Sequence, residues 1–304
     1  GAGRIAGRLK PTDHKHRADM KQIVVTGAGG QLGSEMRCLS AAHPDLEFDF
    51  ADSSRLDVTD RQAVLAYLDA HPADIIVNCA AYTAVDRAED DEEACRRVNA
   101  LAPAYLAEAA EVHGATLIHV STDYVFDGRN FRPYVETDAT CPATVYGRTK
   151  LEGERRVLEG CSCAMVVRTS WLYSSYGNNF VKTMLRLGRM RSELGVVFDQ
   201  VGTPTYAADL ACALVESIRQ GIVPGLYHFS DEGVCSWYDL AKAVHRLAGI
   251  TTCHVRPLHT DEYPTRACRP HYSVLDKTKI KQTYGIAIPH WEASLEACLK
   301  ILNS

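Results

Sequence analysis

The stretch Thr26-Gly27-Ala28-Gly29-Gly30-Gln31-Leu32-Gly33 decides the fold, because it follows an apolar β-branched run at 22–25 and opens a helical pattern at 31–42. Glycines at 27, 30 and 33 between a strand and a helix are typical of a dinucleotide-binding turn. Gly27 permits the tight turn, Gly30 lets the backbone approach a pyrophosphate, and Gly33 allows the helix to pack closely. The helix start, including Gln31 and Leu32, supplies N–H groups and partial positive charge for phosphates. A glycine-rich turn without a ligand is the alternative.

Strand and helix patterns alternate after this turn. Apolar runs predict further strands at 46–50, 74–78, 116–120 and 164–168. Apolar faces between them predict helices at 59–70, at 89–113 with an interruption near Pro103, and at about 142–158. Continuous apolar strands separated by helices are buried on both faces. The pattern therefore predicts an α/β fold with a doubly wound parallel (Rossmann) sheet.

The pattern divides the chain into three parts. Residues 1–19 are polar and lack apolar periodicity, so we expect a leader or a cloning remnant outside the fold, with a targeting sequence as the rival interpretation. Residues 20–170 are predicted to form the dinucleotide-binding Rossmann domain. Residues 171–304 are less regular and are predicted to be mainly a smaller α/β substrate-binding lobe, with a segment at about 195–222 returning to the Rossmann domain.

Composition restricts the classes of function. The 304-residue chain carries a net charge of −5 with acidic and basic residues mixed, so no surface for nucleic acid is expected. No apolar run approaches the roughly 20 residues that cross a bilayer, so no membrane segment is expected. The eleven cysteines show no metal-type spacing, which favours reduced thiols in a cytoplasmic protein and predicts no metal site.

The segments after the second and third strands hold further candidate contacts for a dinucleotide. Asp57, with Val58 beside it, is a candidate acceptor for the adenine amino group, although an aspartate there also suits a helix cap. Asp49 or Asp52 would accept from the adenosine ribose of NADH, whereas Ser-Ser-Arg at 53–55 would receive the 2′-phosphate of NADPH, so both cofactors remain open. Small residues after the third strand either admit the cofactor or serve sheet packing; the candidates are Ala80, Ala81 and Tyr82.

Tyr146 and Lys150 stand four residues apart, on one face of a predicted helix. A phenol with a pKa of about 10 is a poor acid–base group at neutral pH, and a neighbouring cation lowers that pKa by favouring phenolate. Ser-Thr-Asp-Tyr at 121–124 ends the fourth strand, where parallel α/β sheets bind ligands. A hydroxyl there would hydrogen-bond a substrate carbonyl while Tyr146 protonates the same oxygen. A surface Tyr–Lys pair and a turn-forming threonine are the alternatives.

This combination resembles the extended short-chain dehydrogenase/reductase family and, within it, the dTDP-4-dehydrorhamnose reductase subfamily. The resemblance covers essentially residues 20–302. Its more specific marks include Ser-Thr-Asp-Tyr-Val-Phe at 121–126, Val-Tyr-Gly at 145–147, Arg-Thr-Ser-Trp at 168–171 and Gly-Asn-Asn-Phe at 177–180. Several marks fall in the predicted substrate lobe, so they indicate the subfamily and not the fold alone.

The resemblance implies roles for individual residues. Thr122, Tyr146 and Lys150 would form the catalytic triad, and Lys150 would also hold the nicotinamide ribose. Asn99 would support the site beside the cofactor. Arg269 suits a diphosphate through paired hydrogen bonds, unless it is a solvated surface charge. The full set of implied substrate contacts is Thr122, Asp123, Tyr124, Trp171, Asn179, Gln200 and Arg269.

The implied activity is NADPH- or NADH-dependent reduction of the C4 keto group of dTDP-4-dehydro-L-rhamnose to dTDP-L-rhamnose, a precursor of cell-surface polysaccharide. The implied partner is a nucleotide-diphosphate sugar, and a homodimer is possible. Two alternatives remain: a nucleotide-sugar 4-epimerase or other 4-ketoreductase on the same scaffold, and a non-catalytic NADP-binding regulatory subunit. Some members carry a magnesium site of clustered carboxylates, and no such cluster is matched here.

Overall fold

The computed structural model describes residues 20–304, so the prediction for residues 1–19 lies outside the described range. The strands in that range are β1 (Lys21–Thr26), β2 (Leu46–Ala51), β3 (Ile75–Asn78), β4 (Thr116–Thr122), β5 (Ala164–Thr169), β6 (Leu172–Tyr173), β7 (Glu193–Val197), β8 (Val201–Gly202), β9 (Thr205–Tyr206), β10 (Gly225–His228), β11 (Cys235–Ser236) and β12 (His254–Leu258). The α-helices are α1 (Gln31–Ser40), α2 (Arg61–Ala70), α3 (Val85–Ala88), α4 (Glu92–Arg96), α5 (Ala102–His113), α6 (Val145–Gly160), α7 (Phe180–Met190), α8 (Ala207–Gln220), α9 (Trp237–Leu247), α10 (Thr278–Tyr284) and α11 (Trp291–Leu302). A π-helical turn lies at Arg97–Leu101, and 3₁₀ turns lie at Asp123–Val125 and Thr260–Glu262.

The core of the molecule is a six-stranded sheet in the order β10-β5-β4-β3-β1-β2, with every neighbouring pair parallel. Apolar side chains from α1, α8 and α10 cover one face of the sheet. Side chains from α2, α5 and α6 cover the other face. A parallel sheet covered on both faces is the doubly wound fold that the alternation of apolar runs predicts, and the prediction is confirmed.

The strand order places a crevice between β1 and β3. The chain runs from β1 to β2 on one side and then crosses to β3 on the other, so the connections diverge at this point. Open α/β sheets bind ligands at the carboxyl ends of strands beside such a point. The glycine turn follows β1, and the predicted cofactor contacts at 80–82 follow β3, so both lie at this edge of the sheet.

The second half of the chain contributes to two cores. Helices α7, α9 and α11, with β7 and β12, form a separate apolar cluster. Helix α8 packs instead with α1 in the main core, and β10 extends the main sheet by pairing with β5. Residues from both 171–304 and 20–170 therefore build the main sheet and its covering helices. The division of the chain into domains stays a prediction.

The helix predicted at 89–113 begins at Glu92 and has an irregularity near Pro103, as the sequence predicts. The irregularity is the π-helical turn Arg97–Leu101, which joins α4 to α5 with helical backbone on both sides. Pro103 lies two residues beyond this turn, and its missing backbone N–H removes one helical hydrogen bond there.

Candidate active site

The glycine turn lies against the loop that follows β3. Gly27 has a φ of 63°, and a Cβ built on it would lie 2.4 Å from the backbone nitrogen of Ala80, so no side chain fits there. A Cβ on Gly33 would lie 2.6 Å from the Cα of Ala28. Gly33 thus permits close packing, as predicted, but against the turn itself. These contacts form one continuous backbone wall at the crevice.

The start of α1 has the features that a pyrophosphate site needs. Gly30 is the N-cap, and no side chain accepts a hydrogen bond from the first N–H groups of the helix. Unpaired N–H groups at a helix start favour an anion. Leu32 is buried in the main core, so only its backbone faces outward from the helix start. The residues at this turn therefore fit a dinucleotide.

Charged side chains at the end of β2 are mostly engaged with one another. The Oδ1 atom of Asp57 accepts hydrogen bonds from the backbone N–H and the hydroxyl of Thr59, so the carboxylate forms a local turn. Asp60, not Asp57, caps α2. Arg55 donates to Asp49, while Asp52 accepts from the backbone and hydroxyl of Ser54. Val58 is buried in the core cluster beneath α2.

The loop after β3 is clamped by Asn99. The amide of Asn99 accepts from the backbone N–H of Tyr82 at 2.8 Å and donates to its carbonyl oxygen at 3.0 Å. Asn99 lies in the π-helical turn and is 1% exposed. Ala80 donates its N–H to Asn78, while Ala81 is exposed. The structure thus gives Asn99 the supporting position that the resemblance implies, and its contact with a cofactor stays a prediction.

The three predicted catalytic side chains come from two adjacent elements. Thr122 is the last residue of β4, and Tyr146 and Lys150 lie in the first two turns of α6. Helix α6 approaches the end of β4 closely, because a Cβ on Gly147 would lie 2.2 Å from the carbonyl oxygen of Tyr124. The rings of Tyr124 and Tyr146 meet edge to face at 5.3 Å. Tyr146 is partly buried and does not extend into bulk solvent.

Burial controls the ionisation of Tyr146 and Lys150. Burial raises the pKa of Tyr146 above its ordinary value, and hydrogen bonding with Thr122 opposes the rise. The expectation that Lys150 lowers this pKa is therefore not met: Lys150 donates its Nζ to the carbonyl oxygen of Val120 at 2.6 Å. Burial lowers the pKa of Lys150 to about 8. A phenol that keeps its proton at neutral pH is suited to donate it.

A buried ion pair joins the elements that carry this triad. Arg168 of β5 donates from Nε and Nη2 to the two carboxylate oxygens of Glu154, at 2.9 and 2.7 Å. Ser121, directly before Thr122, donates to the same carboxylate at 2.5 Å. Glu154 lies one turn beyond Lys150 on α6. The side chains of Arg168 and Glu154 are only 3% and 2% exposed. One carboxylate therefore fixes β4, β5 and α6 relative to one another.

Arg269 approaches the triad through Tyr124. Its Nη1 donates to the Tyr124 hydroxyl at 3.2 Å, and its Nη2 donates to Asp86 at 2.7 Å. Asp86 also accepts the backbone N–H of Ala267, which ties the segment around Arg269 to α3. Arg269 is thus held beside the predicted site and is not a free surface charge. Its contact with a diphosphate stays a prediction.

Two predicted substrate contacts have structural partners. The Nδ2 group of Asn179 donates to Gln31 and to the carbonyl oxygen of Ser174, and its Oδ1 accepts from the N–H of Lys182 as the cap of α7. Both side-chain N–H groups of Asn179 are therefore engaged within the protein, and its contact with a substrate stays a prediction. Gln200 is buried and donates to the Thr260 hydroxyl.

Trp171 has an unusual conformation. Its φ is 49°, which makes it the one non-glycine residue with a positive φ in the described range. Its indole stacks on Trp237 with ring centroids 3.6 Å apart, and a Cβ on Gly202 would lie 2.7 Å from its Cε2. Left-handed backbone at a tryptophan costs energy and persists where the surroundings fix it. The ring is therefore positioned rigidly, with one face already covered.

Several residues in this arrangement lie outside the sequence-based selection. They are Asp86, Glu154, Arg168, Trp237 and Ser273. Arg168 falls inside the motif at 168–171, and Glu154 stands eight residues after Tyr146 on the same helix, so both carry a local signal. Nothing in the sequence places Trp237 against Trp171, because the two are joined only through the fold of the lobe.

Residues 20–304 contain neither a cluster of metal ligands nor a membrane-spanning helix. No group of three or more histidine, cysteine or acidic side chains is placed to hold a metal ion. None of the helices in that range is both long and apolar enough to span a bilayer.

Comparison with known proteins identifies the family. The family described as RmlD substrate binding domain matches residues 20–304. A dTDP-4-dehydrorhamnose reductase from Aggregatibacter actinomycetemcomitans is 43% identical over 91% of this chain and 98% of its own length.

Solved structures agree with that match. A dTDP-4-dehydrorhamnose reductase from Clostridium acetobutylicum superposes with a TM-score of 0.90 at 41% identity, covering 93% of this chain and 100% of that one. A dTDP-4-dehydrorhamnose reductase from Bacillus anthracis, solved in complex with NADP, gives a TM-score of 0.89 at 37% identity and covers 93% and 99%. With this fold and this arrangement of glycine turn, threonine, tyrosine and lysine, the chain belongs to the dTDP-4-dehydrorhamnose reductase family.

Proposed function

We propose that this protein is an oxidoreductase that reduces the C4 keto group of dTDP-4-dehydro-L-rhamnose with NADPH or NADH. The observation that carries the proposal is the convergence of Thr122, Tyr146 and Lys150 at the carboxyl end of β4, beside the glycine turn. The family match supports the substrate, and the NADP complex of the Bacillus anthracis relative supports the cofactor.

The residues of the site would act on one oxygen atom. The bound cofactor supplies the hydride to C4 of the sugar. Tyr146 donates its proton to the oxygen that becomes an alkoxide, which its raised pKa suits because the phenol is protonated at neutral pH. Thr122 donates a second hydrogen bond to that oxygen. Lys150, with its pKa lowered to about 8 by burial, holds the nicotinamide ribose as an ammonium group.

Other side chains would orient the nucleotide sugar. Arg269 presents two donor nitrogens and is positioned by Asp86, so it would bind the diphosphate. Trp171, held by Trp237, would contact the sugar nucleotide with the ring edge that the stack leaves open. Gln200 and Tyr124 would line the same pocket, with Tyr124 placed edge to face on Tyr146.

Absorbance of NAD(P)H with dTDP-4-dehydro-L-rhamnose tests this function. We expect one cofactor oxidised for each sugar reduced. Tyr146→Phe should lower turnover by about 10²–10⁴-fold while NADPH binding is retained. Tyr105→Phe on α5, outside the site, is the control and should leave turnover unchanged.

The same assay separates the alternatives. A 4-epimerase would interconvert sugars with bound cofactor and no net oxidation. A regulatory subunit would bind NADPH without turnover. Full activity of Tyr146→Phe would remove this tyrosine from the mechanism.

We also propose a cytoplasmic location and a homodimer. The eleven cysteines, all within the described range, are free thiols, which suits a reducing compartment. Cell fractionation and sedimentation analysis would test the two statements.

A further inference from the structure

The hydroxyl proton of Thr122 is directed at Asp123. Thr122 donates from Oγ1 to the Oδ1 atom of Asp123 at 2.9 Å, and it accepts the backbone N–H of Tyr124 at 3.2 Å. A threonine hydroxyl has one proton and two lone pairs. With Asp123 ionised, the one proton of Thr122 is used in the hydrogen bond to Asp123.

This arrangement diverts one of the two donors that the proposed reaction needs, because Thr122 has no second proton for a substrate oxygen. A proton added to Oδ1 of Asp123 reverses this effect. Oδ1 then donates to Thr122, and the N–H of Tyr124 fills the other lone pair. The hydroxyl proton of Thr122 is then free to point at the substrate oxygen, beside the proton of Tyr146.

We propose that Asp123 is a positioning residue that must carry a proton for Thr122 to donate its own proton to the substrate oxygen. The proposal rests on the proposed function and deepens it. Asp123 acts through Thr122 and transfers no proton to the sugar itself.

The surroundings of Asp123 favour its neutral form. The residue is 2% exposed, and its Oδ2 accepts no hydrogen bond of normal geometry from the described residues. A buried carboxylate with an unpaired oxygen is costly, so its proton is retained to higher pH. Burial raises the pKa of Asp123 to about 6, with Thr122 and Ser273 opposing the rise.

Few charged groups lie near the carboxyl group of Asp123. Tyr146 from α6 and Tyr124 on its own turn are the titratable neighbours, and both phenols have pKa values raised by burial. Arg269 acts one residue away, through the Tyr124 hydroxyl, and is paired with Asp86. Substrate bound over this carboxyl would remove more water and raise its pKa further.

The expected pH dependence of kcat follows from the protonation state of Asp123. Ionisation of Asp123 removes the Thr122 donor, so kcat should fall as pH rises through the pKa of Asp123 in the complex. Loss of a donor at a developing oxyanion typically lowers kcat by about 10²–10³-fold, so this limb is measurable. Asp123→Asn should abolish it, since the amide N–H donates to Thr122 as the neutral acid does.

The experiment measures kcat for dTDP-4-dehydro-L-rhamnose from pH 5 to pH 9, with NADPH in excess. We expect kcat of the wild-type protein to fall across this pH range, and kcat of Asp123→Asn to show no such fall. Asp127→Asn, on the same segment but exposed, is the matched control and should keep the wild-type profile. Ser273→Ala should move the limb to higher pH, because the Ser273 hydroxyl lowers the pKa of Asp123. This second variant tests the idea if Asp123→Asn does not fold.

Each contrary outcome is distinct. If Asp123→Asn folds and binds NADPH but keeps the limb, the positioning role is wrong. If it raises KM and leaves the profile intact, Asp123 is a sugar contact only, and the proposal is overturned. If it is inactive at low pH, the amide does not replace the acid, which also overturns it. Wild-type protein that oxidises no NADPH would instead refute the proposed function.

Discussion

Replacing Arg168 by methionine should strongly lower the free energy of unfolding, because the change breaks the buried Arg168–Glu154 ion pair. The change removes two hydrogen bonds to Glu154, at 2.9 and 2.7 Å, and leaves a carboxylate that is 2% exposed with Ser121 as its remaining donor. Removing one partner of a buried ion pair costs about 3–5 kcal/mol. The guanidinium also lies 5.1 Å from the Phe126 ring, and losing that contact adds about 0.5–2 kcal/mol.

Urea unfolding and calorimetry would measure the loss. The two losses together come to about 3.5–7 kcal/mol. At roughly 2–4 °C per kcal/mol for large domains, we expect Tm to fall by about 7–28 °C. The double variant Arg168→Met/Glu154→Gln should regain more than half of the lost stability, because no unpaired charge is left buried. Lys300→Met is the control, since the Lys300–Glu296 pair is exposed and should contribute little. A single variant as stable as this control, or a double variant no better than the single, would refute the reasoning.

Three further predictions concern the cofactor turn, the substrate lobe and pH. Gly33→Ala should weaken NADPH binding at least tenfold in a fluorescence titration, because the new Cβ would lie 2.6 Å from the Cα of Ala28. Unchanged affinity would show that the backbone of the turn can shift to accept the methyl group without loss of binding. Asp86→Asn should raise KM for the nucleotide sugar several-fold with little change in kcat, because Arg269 loses its charged partner; a fall in kcat alone would contradict this. Burial and the neighbouring Asp209 raise the pKa of Asp231 to about 8, above an unfolded value of about 3.9, so its contribution to stability is present at low pH and is lost as pH rises through that window. Asp231→Asn should therefore flatten the stability curve between about pH 4 and 8, and a slope equal to wild type in urea unfolding would argue against it.

The main sheet was predictable because its strands are buried on both faces. Each run of apolar residues at 22–25, 46–50, 74–78, 116–120 and 164–168 became a strand with ends shifted by at most a few residues. Such runs have no competing interpretation when helical patterns separate them. The sixth strand, β10, was missed because Gly225–His228 is short and its apolar character is weak.

The candidate site was predictable where it depends on local spacing. Tyr146 and Lys150 share a helix face, and Thr122 ends a strand, so their proximity follows from secondary structure alone. The direction of the pKa shift at Tyr146 did not follow, because it depends on how deeply the fold buries the phenol. The engagement of Asn179 as a helix cap is likewise set by tertiary contacts with Gln31 and Ser174.

The form of the irregularity between α4 and α5 did not follow from the sequence. Pro103 indicated an irregularity, and the π-helical turn lies just before it. The contacts of that turn are distant in sequence: the backbone of Tyr82 binds Asn99, and a Cβ on Gly153 would lie 2.1 Å from the Asn99 carbonyl oxygen. Only the packed structure brings these partners together.

The π-helical turn also restricts how this stretch of chain can change in length. It contains one residue more than a regular helix would need, and that surplus turns Asn99 towards the loop after β3. Deleting a single residue there would restore an ordinary helix but rotate everything before it by about 100° relative to α5. Insertions and deletions among natural relatives or engineered variants should therefore avoid 97–101 and accumulate in the surface loops, which makes this segment a fixed reference point when distant sequences are aligned.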